Sequence, residues 1–492
     1  MRQLISNCNR LAAAGSGSVP ATIDDPFHAS IMASHNRLVP LIVALPLFLQ
    51  NIDSSAMATA LPTIARSLNV EVLHLNLAIT SYLLSLAVFL PLSGWLASRF
   101  GAKRVFCCAI ACFATGSALC GIADSLTSLV LFRMLQGFGG AMMVPVGRLI
   151  LIRRIEPSAM VAAMVWYTLP AAVGRLSGPL FGGLIVTWVS WRWIFLVGVP
   201  FGLVGIVLAM LFIEDDFDGT PPPAFDLKGF VLLALGLVGL LGGLETASKG
   251  LLPVWAAGLM AAGGALCVCI YALRSRRVDN PIVNLSNLRF ATYRAAILGG
   301  SALFVAVGAA PFLLPLMFQL AFGLSPLDSG LLTIATALGS LATRPIVAPA
   351  IRRFGFRPVM MGAATLSGLC YMSYALFRPD TPHALMFAAM LFGGLVNAMG
   401  MVTLQTLGFS DVPKPLMSHA TALSIMAQQV SVSFGVVLGA SLVGAAAWLH
   451  GSAPGHLTVN DFSPAFVGIG MVALLSLLCF MQLDKDEGSK MR

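Results

Sequence analysis

The sequence predicts an all-α integral membrane protein with fourteen membrane-crossing helices: two bundles of six related by pseudo-symmetry, with two more helices inserted between them. Three observations predict it: a charge-poor apolar composition, repeated apolar runs of about 20 residues, and a one-sided distribution of basic residues. Hydrophobic residues fill 58% of the 492 positions and charged residues 10%, against about 45–50% and about 25% in a soluble domain. Several soluble domains could not cover themselves with so little polar surface, so lipid must solvate most of this chain.

Taken in order, the apolar runs of the first group fall at 38–58, 74–97, 104–123, 127–150, 159–186 and 192–213. Two more lie at 228–246 and 253–273. The later group of six lies at 294–320, 327–350, 357–377, 384–408, 418–447 and 463–483. The expected organisation is therefore a disordered cytoplasmic tail over 1–37, a bundle over 38–213, a linker with two extra helices over 214–293, a second bundle over 294–483 and a cytoplasmic tail over 484–492. The leading stretch has no apolar core with a cleavage site, so it does not read as a signal peptide. Translation from Met1 and from Met32 both stay open.

Charge supports the count independently. With the amino terminus inside, twenty-one Lys and Arg fall in cytoplasmic segments, whereas outer loops hold Arg66, Arg192, Lys249 and Arg378. That asymmetry follows the positive-inside rule, and one missed span would invert every later loop. Both termini are expected in the cytoplasm. The net charge of +9 calls for no nucleic-acid partner, because short inner loops carry it. There Arg274, Arg276, Arg277, Arg289 and Arg294 meet anionic lipid head groups.

Most of the nine cysteines sit in apolar runs and read as small buried hydrophobes. No zinc spacing occurs, no phosphate-binding GxxxxGK[ST] loop, and no nucleophile–base set or pair of intramembrane carboxylates. Neither a metal nor a cofactor is expected, and enzymatic activity is not.

An internal repeat is visible. Ser98-Arg-Phe-Gly-Ala-Lys103 follows the second span, and Arg352-Arg-Phe-Gly-Phe-Arg357 follows the second span of the later group, at an offset of 254 residues. A duplicated six-span unit explains it, with a substrate site between the halves near mid-membrane.

The motifs then become specific. Gly94-Trp-Leu-Ala-Ser-Arg-Phe-Gly-Ala-Lys-Arg104 resembles the signature loop of the major facilitator superfamily, which marks Gly94, Arg99, Gly101, Lys103 and Arg104 as gating-loop residues. Leu131-Phe-Arg-Met-Leu-Gln-Gly-Phe-Gly-Gly-Ala141 resembles its fourth-span motif, with Arg133, Gln136 and Gly137. Gly174-Arg-Leu-Ser-Gly-Pro-Leu-Phe-Gly-Gly183 resembles the fifth-span antiporter motif, with Gly174, Gly178, Pro179, Gly182 and Gly183. Asp53 with Ala60-Leu-Pro62, and Trp191-Arg-Trp-Ile-Phe195 before Pro200, resemble the fourteen-span drug:proton antiporter branch (the EmrB/QacA-like group). Gly139-Gly-Ala-Met-Met-Val-Pro-Val-Gly-Arg148 is most similar to its MdtD/HsrA-like members. Two positions depart from the pattern: Ser98 replaces the usual loop Asp, and Gly198 replaces the Asn many relatives carry.

The resemblance implies a major facilitator fold and a secondary active transporter. It would export small amphipathic molecules (drugs, toxins or metabolites) in exchange for protons by alternating access, as in multidrug efflux and antibiotic resistance. Proton-coupled uptake, a membrane-embedded enzyme and a sensor are the alternatives. The implied setting is the bacterial inner membrane. The implied partners are a small-molecule substrate, protons and lipid, with a monomeric state and room for a periplasmic adaptor and outer-membrane channel.

Residue chemistry points to the same place. Asp53 is the carboxylate well inside a span, about 22 Å along the helix from Leu38. An ionised carboxylate there is costly, so Asp53 is expected to take up a proton readily; a structural carboxylate held permanently by an arginine is the alternative. Arg133 lies at about 9 Å from the outer surface and Asp53 at about 8 Å, and the family's packing would bring the two helices together. The small residues of the fifth span, with Pro179, suit close packing that also bends. Arg175 falls near mid-membrane and must face the interior or water, to bind an anionic substrate group or to pair within the bundle. With Phe304, Phe312, Asn397 and Gln405 it makes the candidate substrate cavity.

Overall fold

A computed structural model describes residues 26–155, 160–214, 224–249, 252–278, 281–413, 416–452 and 457–483. The described residues contain no β-strand. Helices satisfy their own backbone donors and acceptors, as a chain in hydrocarbon must.

In chain order the helices are α1 (Pro26–Ser67), α2 (Val72–Phe89), α3 (Leu92–Phe100), α4 (Ala102–Gly121), α5 (Leu126–Arg154), α6 (Met160–Trp188), α7 (Arg192–Leu196) and α8 (Gly198–Phe212). Then come α9 (Leu227–Lys249) and α10 (Val254–Ser275). The rest are α11 (Ala291–Leu316), α12 (Pro326–Ala342), α13 (Arg344–Phe354), α14 (Phe356–Tyr374), α15 (His383–Gly408), α16 (Met417–His450) and α17 (Val459–Phe480). A π-helical turn, Met317–Ala321, closes α11.

Several expected boundaries shift. Helix α1 starts at Pro26, so part of the expected disordered tail is helical; a nucleated helix extends one hydrogen bond per residue with little further cost. The expected span 74–97 breaks between α2 and α3, where Pro91 lacks the N–H a continuous helix would use. Residues 1–25, the tail over 484–492 and the linker prolines Pro221 to Pro223 lie outside the described residues.

Among the described residues twelve helices are long and apolar enough to cross a membrane. The pair α12 and α13, bent by 49°, makes a thirteenth. The expected span at 357–377 exists as α14, but Arg357, Pro358 and its serines and tyrosines leave it less apolar. The fourteen-span reading therefore rests on α14, which at 19 residues is about 28 Å long.

The packing carries the repeat. Helix α2 lies on α5, α4 on α5 and on α8, and α1 on α6. The later helices reproduce this: α12 on α15, α14 on α15 and on α17, and α11 on α16. The halves meet where α6 crosses α12 and where α2 crosses α16, two crossings equivalent under the same correspondence. Both basic loops turn on a glycine, Gly101 with φ 90° and Gly355 with φ 88°, 254 residues apart like the motifs. That left-handed conformation carries a steric penalty for residues with a Cβ. Helices α9 and α10 pack on each other, and α9 lies outside the halves against α2 and α16. Trp255, Leu259, Leu266 and Leu273 of α10 are exposed, as lipid-facing residues should be.

Candidate functional site

Helix α5 carries Arg133 and Gln136 three residues apart, and so on one face. Its start is fixed by Ser125, whose hydroxyl accepts from the Ser128 amide at 3.2 Å. Its approach to α2 is set by Gly137, where an added Cβ would lie 2.7 Å from both the Ser85 side chain and the Tyr82 carbonyl oxygen. Ser85 locks the crossing by donating to the Met134 carbonyl at 2.7 Å.

At this crossing Asp53 of α1 meets the two α5 side chains. Arg133 Nη1 donates to Asp53 Oδ2 at 2.5 Å and to Gln136 Oε1 at 2.6 Å, and its Nε donates to the Ala78 carbonyl at 3.2 Å. Gln136 Nε2 completes the ring by donating to Asp53 Oδ1 at 3.2 Å. Arg133 is 1% exposed, Gln136 0% and Asp53 4%. The guanidinium also sits 4.4 Å from the Tyr82 ring centroid and 5.6 Å from that of Phe195.

Each oxygen of the Asp53 carboxylate accepts a bond and the guanidinium makes three, which offsets part of the pair's desolvation. Removing one partner of such a pair costs about 3–5 kcal/mol. An arginine keeps its proton at any physiological pH. The carboxylate is therefore the member that can change charge, and protonating it would release Arg133 from its counter-ion.

The Trp191-Arg-Trp-Ile-Phe195 segment builds the wall beside it. Phe195 faces Arg133, its carbonyl accepts from Ser117 at 2.7 Å, and Arg192 stacks on Trp191 while pairing with Asp124 at 3.2 Å. Gly198 begins α8 with little room, since an added Cβ would lie 3.1 Å from Ser117 Oγ.

The other expected site residues fall in three places. In the gating loop, Lys103 donates to the Met210 carbonyl at 2.9 Å, whereas Arg99 and Ser98 are exposed and a Cβ at Gly94 would meet open space. Arg104 has an interaction partner within the chain. In the fifth-span motif, Gly174 and Gly182 bring α6 onto α1, where an added Cβ would lie 2.7 Å from the Phe48 oxygen and 2.6 Å from that of Ala56; Gly178 sits against Ser55. Gly183 turns instead to the other half, with Pro326 O 2.7 Å from its would-be Cβ, and Gly330 of α12 answers by packing on Pro179. Beside this crossing Gln319 donates to the Thr59 carbonyl at 2.8 Å, so the halves are closed at this end.

The expected cavity set is only partly brought together. Phe304 and Gln405 line one chamber of about 150 Å³ at the opposite end, with Arg148 of α5 across from them. Phe312 is 1% exposed, a packed core side chain. Asn397 donates to Tyr371 at 2.8 Å, and Arg175 donates to Asn51 Oδ1 at 3.2 and 3.3 Å.

Sequence reasoning missed Tyr82 and Glu245. No local signal marks Tyr82, since its role comes from facing Arg133 across a crossing. Glu245 reads as a span-end acid, yet it is 5% exposed and takes the Thr80 hydroxyl at 2.8 Å. An acid at the end of so apolar a helix was the available clue.

The family model described as Major Facilitator Superfamily matches residues 43–436 and 296–490. Two similar relatives are proteins named for multidrug resistance, MdtD, of Salmonella heidelberg (strain SL476) and Salmonella typhimurium (strain LT2). Each is 36% identical over 454 residues, covering 92% of this chain and 95% of the relative. Among solved structures, a D-xylose-proton symporter is similar with TM-score 0.66 at 16% identity, covering 92% of this chain and 98% of the other. An auto-inhibited POT family peptide transporter is similar with TM-score 0.64 at 16% identity, covering 90% and 96%. At such identities the two structures speak for the fold alone.

Proposed function

This chain belongs to the Major Facilitator Superfamily, and from that premise we propose that it exports small amphipathic molecules in exchange for protons by alternating access. That it is a multi-pass membrane transporter, and not an enzyme, follows from its relatives and fold. The observation that carries the proton-coupled reading is the buried ring of Asp53, Arg133 and Gln136. It is a titratable group held beside a permanent cation at the crossing of three helices. Closure at the Gly183 end with a chamber at the other supports alternating access. The fifth-span motif and the name of the MdtD relatives support export.

In this reading residues 38–213 and 294–483 are the moving bundles, residues 214–293 an inserted module outside the pathway, and both termini lie in the cytoplasm. The chain works as a monomer in the bacterial inner membrane. Labelling of Ser489→Cys by an impermeant thiol reagent added outside intact cells would refute the topology.

The test of function uses proteoliposomes with an imposed pH gradient and two xanthene dyes, carboxyfluorescein and rhodamine 6G. Wild type should move at least one dye against its gradient, and Asp53→Asn at equal protein load should not. Undiminished gradient-driven movement by Asp53→Asn would remove Asp53 from coupling. Movement only in the same direction as the protons would establish uptake instead.

A further inference from the structure

Arg133 and Arg148 lie inside α5, Arg175 lies inside α6, and Arg344 begins α13. Arg133 has its carboxylate. The other three are exposed and form no ion pair among the described residues. Arg175 donates to the neutral Asn51 carbonyl and to no carboxylate among the described residues. The carboxylates buried in the spans are all engaged elsewhere, Asp53 by Arg133, Glu245 by Thr80 and Asp461 by His450. Uncompensated charge inside a membrane protein is expensive and marks a pathway.

Among the described residues, Arg148 is the one charged side chain lining the chamber. The first half contributes it, and α11, α15 and α16 of the second half supply the facing wall. That wall combines amides and a hydroxyl, from Gln405, Gln428 and Ser301, with the rings of Phe304 and Phe409. Among the described residues, Arg148, Gln405, Gln428 and Ser301 make no side-chain hydrogen bond. A planar guanidinium with unused donors is suited to grip a carboxylate or a similar oxyanion through two parallel bonds. The amides would hold further oxygens and the rings an apolar body.

We propose that the transported substrate is an amphipathic organic anion, whose acidic group is held by Arg148 between the two halves. This rests on the transport reading above and names its substrate class. An anion bridging Arg148 of one half to Gln405 and Gln428 of the other would sense both at once, so binding and the relative position of the halves are linked. An anionic lipid head group offers the same chemistry, and the test separates the two sources.

The experiment uses the full-length protein in phosphatidylcholine nanodiscs and the same dye pair, which share a ring system and differ in charge. Fluorescence anisotropy should show carboxyfluorescein bound, with Arg148→Gln weakening it about tenfold to a hundredfold. Arg148→Lys should restore part of the loss, and rhodamine 6G should not weaken. Gln405→Leu with Gln428→Leu provides a second variant, expected to weaken carboxyfluorescein while leaving Arg148 in place; it carries the test if Arg148→Gln fails to fold. Unchanged carboxyfluorescein affinity in a folded Arg148→Gln protein would overturn the proposal, as would no carboxyfluorescein binding by wild type. It also falls if phosphatidylglycerol displaces the dye and Arg148→Gln removes the thermal stabilisation that this lipid confers. Gradient-driven movement of rhodamine 6G without carboxyfluorescein binding would sink the anion assignment and leave proton-driven transport standing. Arg148-dependent anion binding without pH-driven movement of either dye would do the reverse.

Discussion

Thr80 of α2 places its hydroxyl 2.8 Å from both carboxylate oxygens of Glu245 on the inserted helix α9. Two residues earlier on α2, the Ala78 carbonyl accepts from Arg133. One helix therefore touches both the Asp53–Arg133 pair and the inserted module. Thr80→Val keeps the side-chain shape and removes the donor. It should lower stability by about 1–3 kcal/mol, read as a lower melting temperature in detergent. An unchanged melting temperature would mean that the Thr80–Glu245 bond does not help to hold α9.

Arg133 reaches Asp53, Gln136 and the Ala78 carbonyl from one planar fork. Arg133→Lys keeps the charge but cannot span all three acceptors. Stability should fall by about 1.5–3 kcal/mol, the worth of a hydrogen bond to a charged group. Gradient-driven dye movement should be reduced and not abolished. Full wild-type transport would show that charge alone, without the fork, serves the site.

The Gly183–Pro326 contact closes one end of the molecule. Gly183→Val would force branched atoms into that crossing, an overpacking worth about 1–3 kcal/mol. In a protein with two arrangements, that cost falls only on the one closed here. A cysteine at Gln319, which is bonded to Thr59 in the closed arrangement, should become more reactive to an impermeant thiol reagent when Gly183→Val is added. Equal labelling with and without that substitution would mean the crossing is not the gate.

Just before α9, Asp226 accepts from Arg274 of α10 at 2.8 Å, and that bond holds the Asp226 carboxyl below the usual carboxylate range, helped by the Gly229 amide. A depressed folded value means that the stabilisation is present above the unfolded value, about 3.9, and is lost as pH falls through the folded one. The pair is partly exposed, so its worth is of order 1 kcal/mol. The melting difference between wild type and Asp226→Asn should be constant from neutral pH to about pH 5 and shrink below about pH 4. A difference that persists in acid would assign the effect to something other than this charge.

Span positions and repeat offset were legible because hydropathy, charge sidedness and turn residues are written locally along the chain. Ser98 through Lys103 and Arg352 through Arg357 announced the duplication without any contact being known, and the matching positive φ of Gly101 and Gly355, 90° and 88°, expresses it in the backbone. The weakest span in the structure, α14, is where apolarity is diluted by Arg357 and its polar neighbours.

Membrane class, the positions of the spans and the candidate coupling residues Asp53 and Arg133 came from the sequence by itself, since burial depth follows from counting residues along a helix. Depth, however, leaves rotation about the helix axis undefined. The tertiary structure set that rotation through close crossings such as Gly137 on Ser85 and Gly183 on Pro326. It thereby joined Arg133 to Asp53 while leaving Arg148, Arg175 and Arg344 without a carboxylate among the described residues. It also sent Phe312 into the core, turned Gln405 into a chamber and buried the span-end Glu245 against Thr80. Each of these depends on which helix face meets which neighbour, a relation between residues as far apart as 53 and 133 that no local pattern encodes.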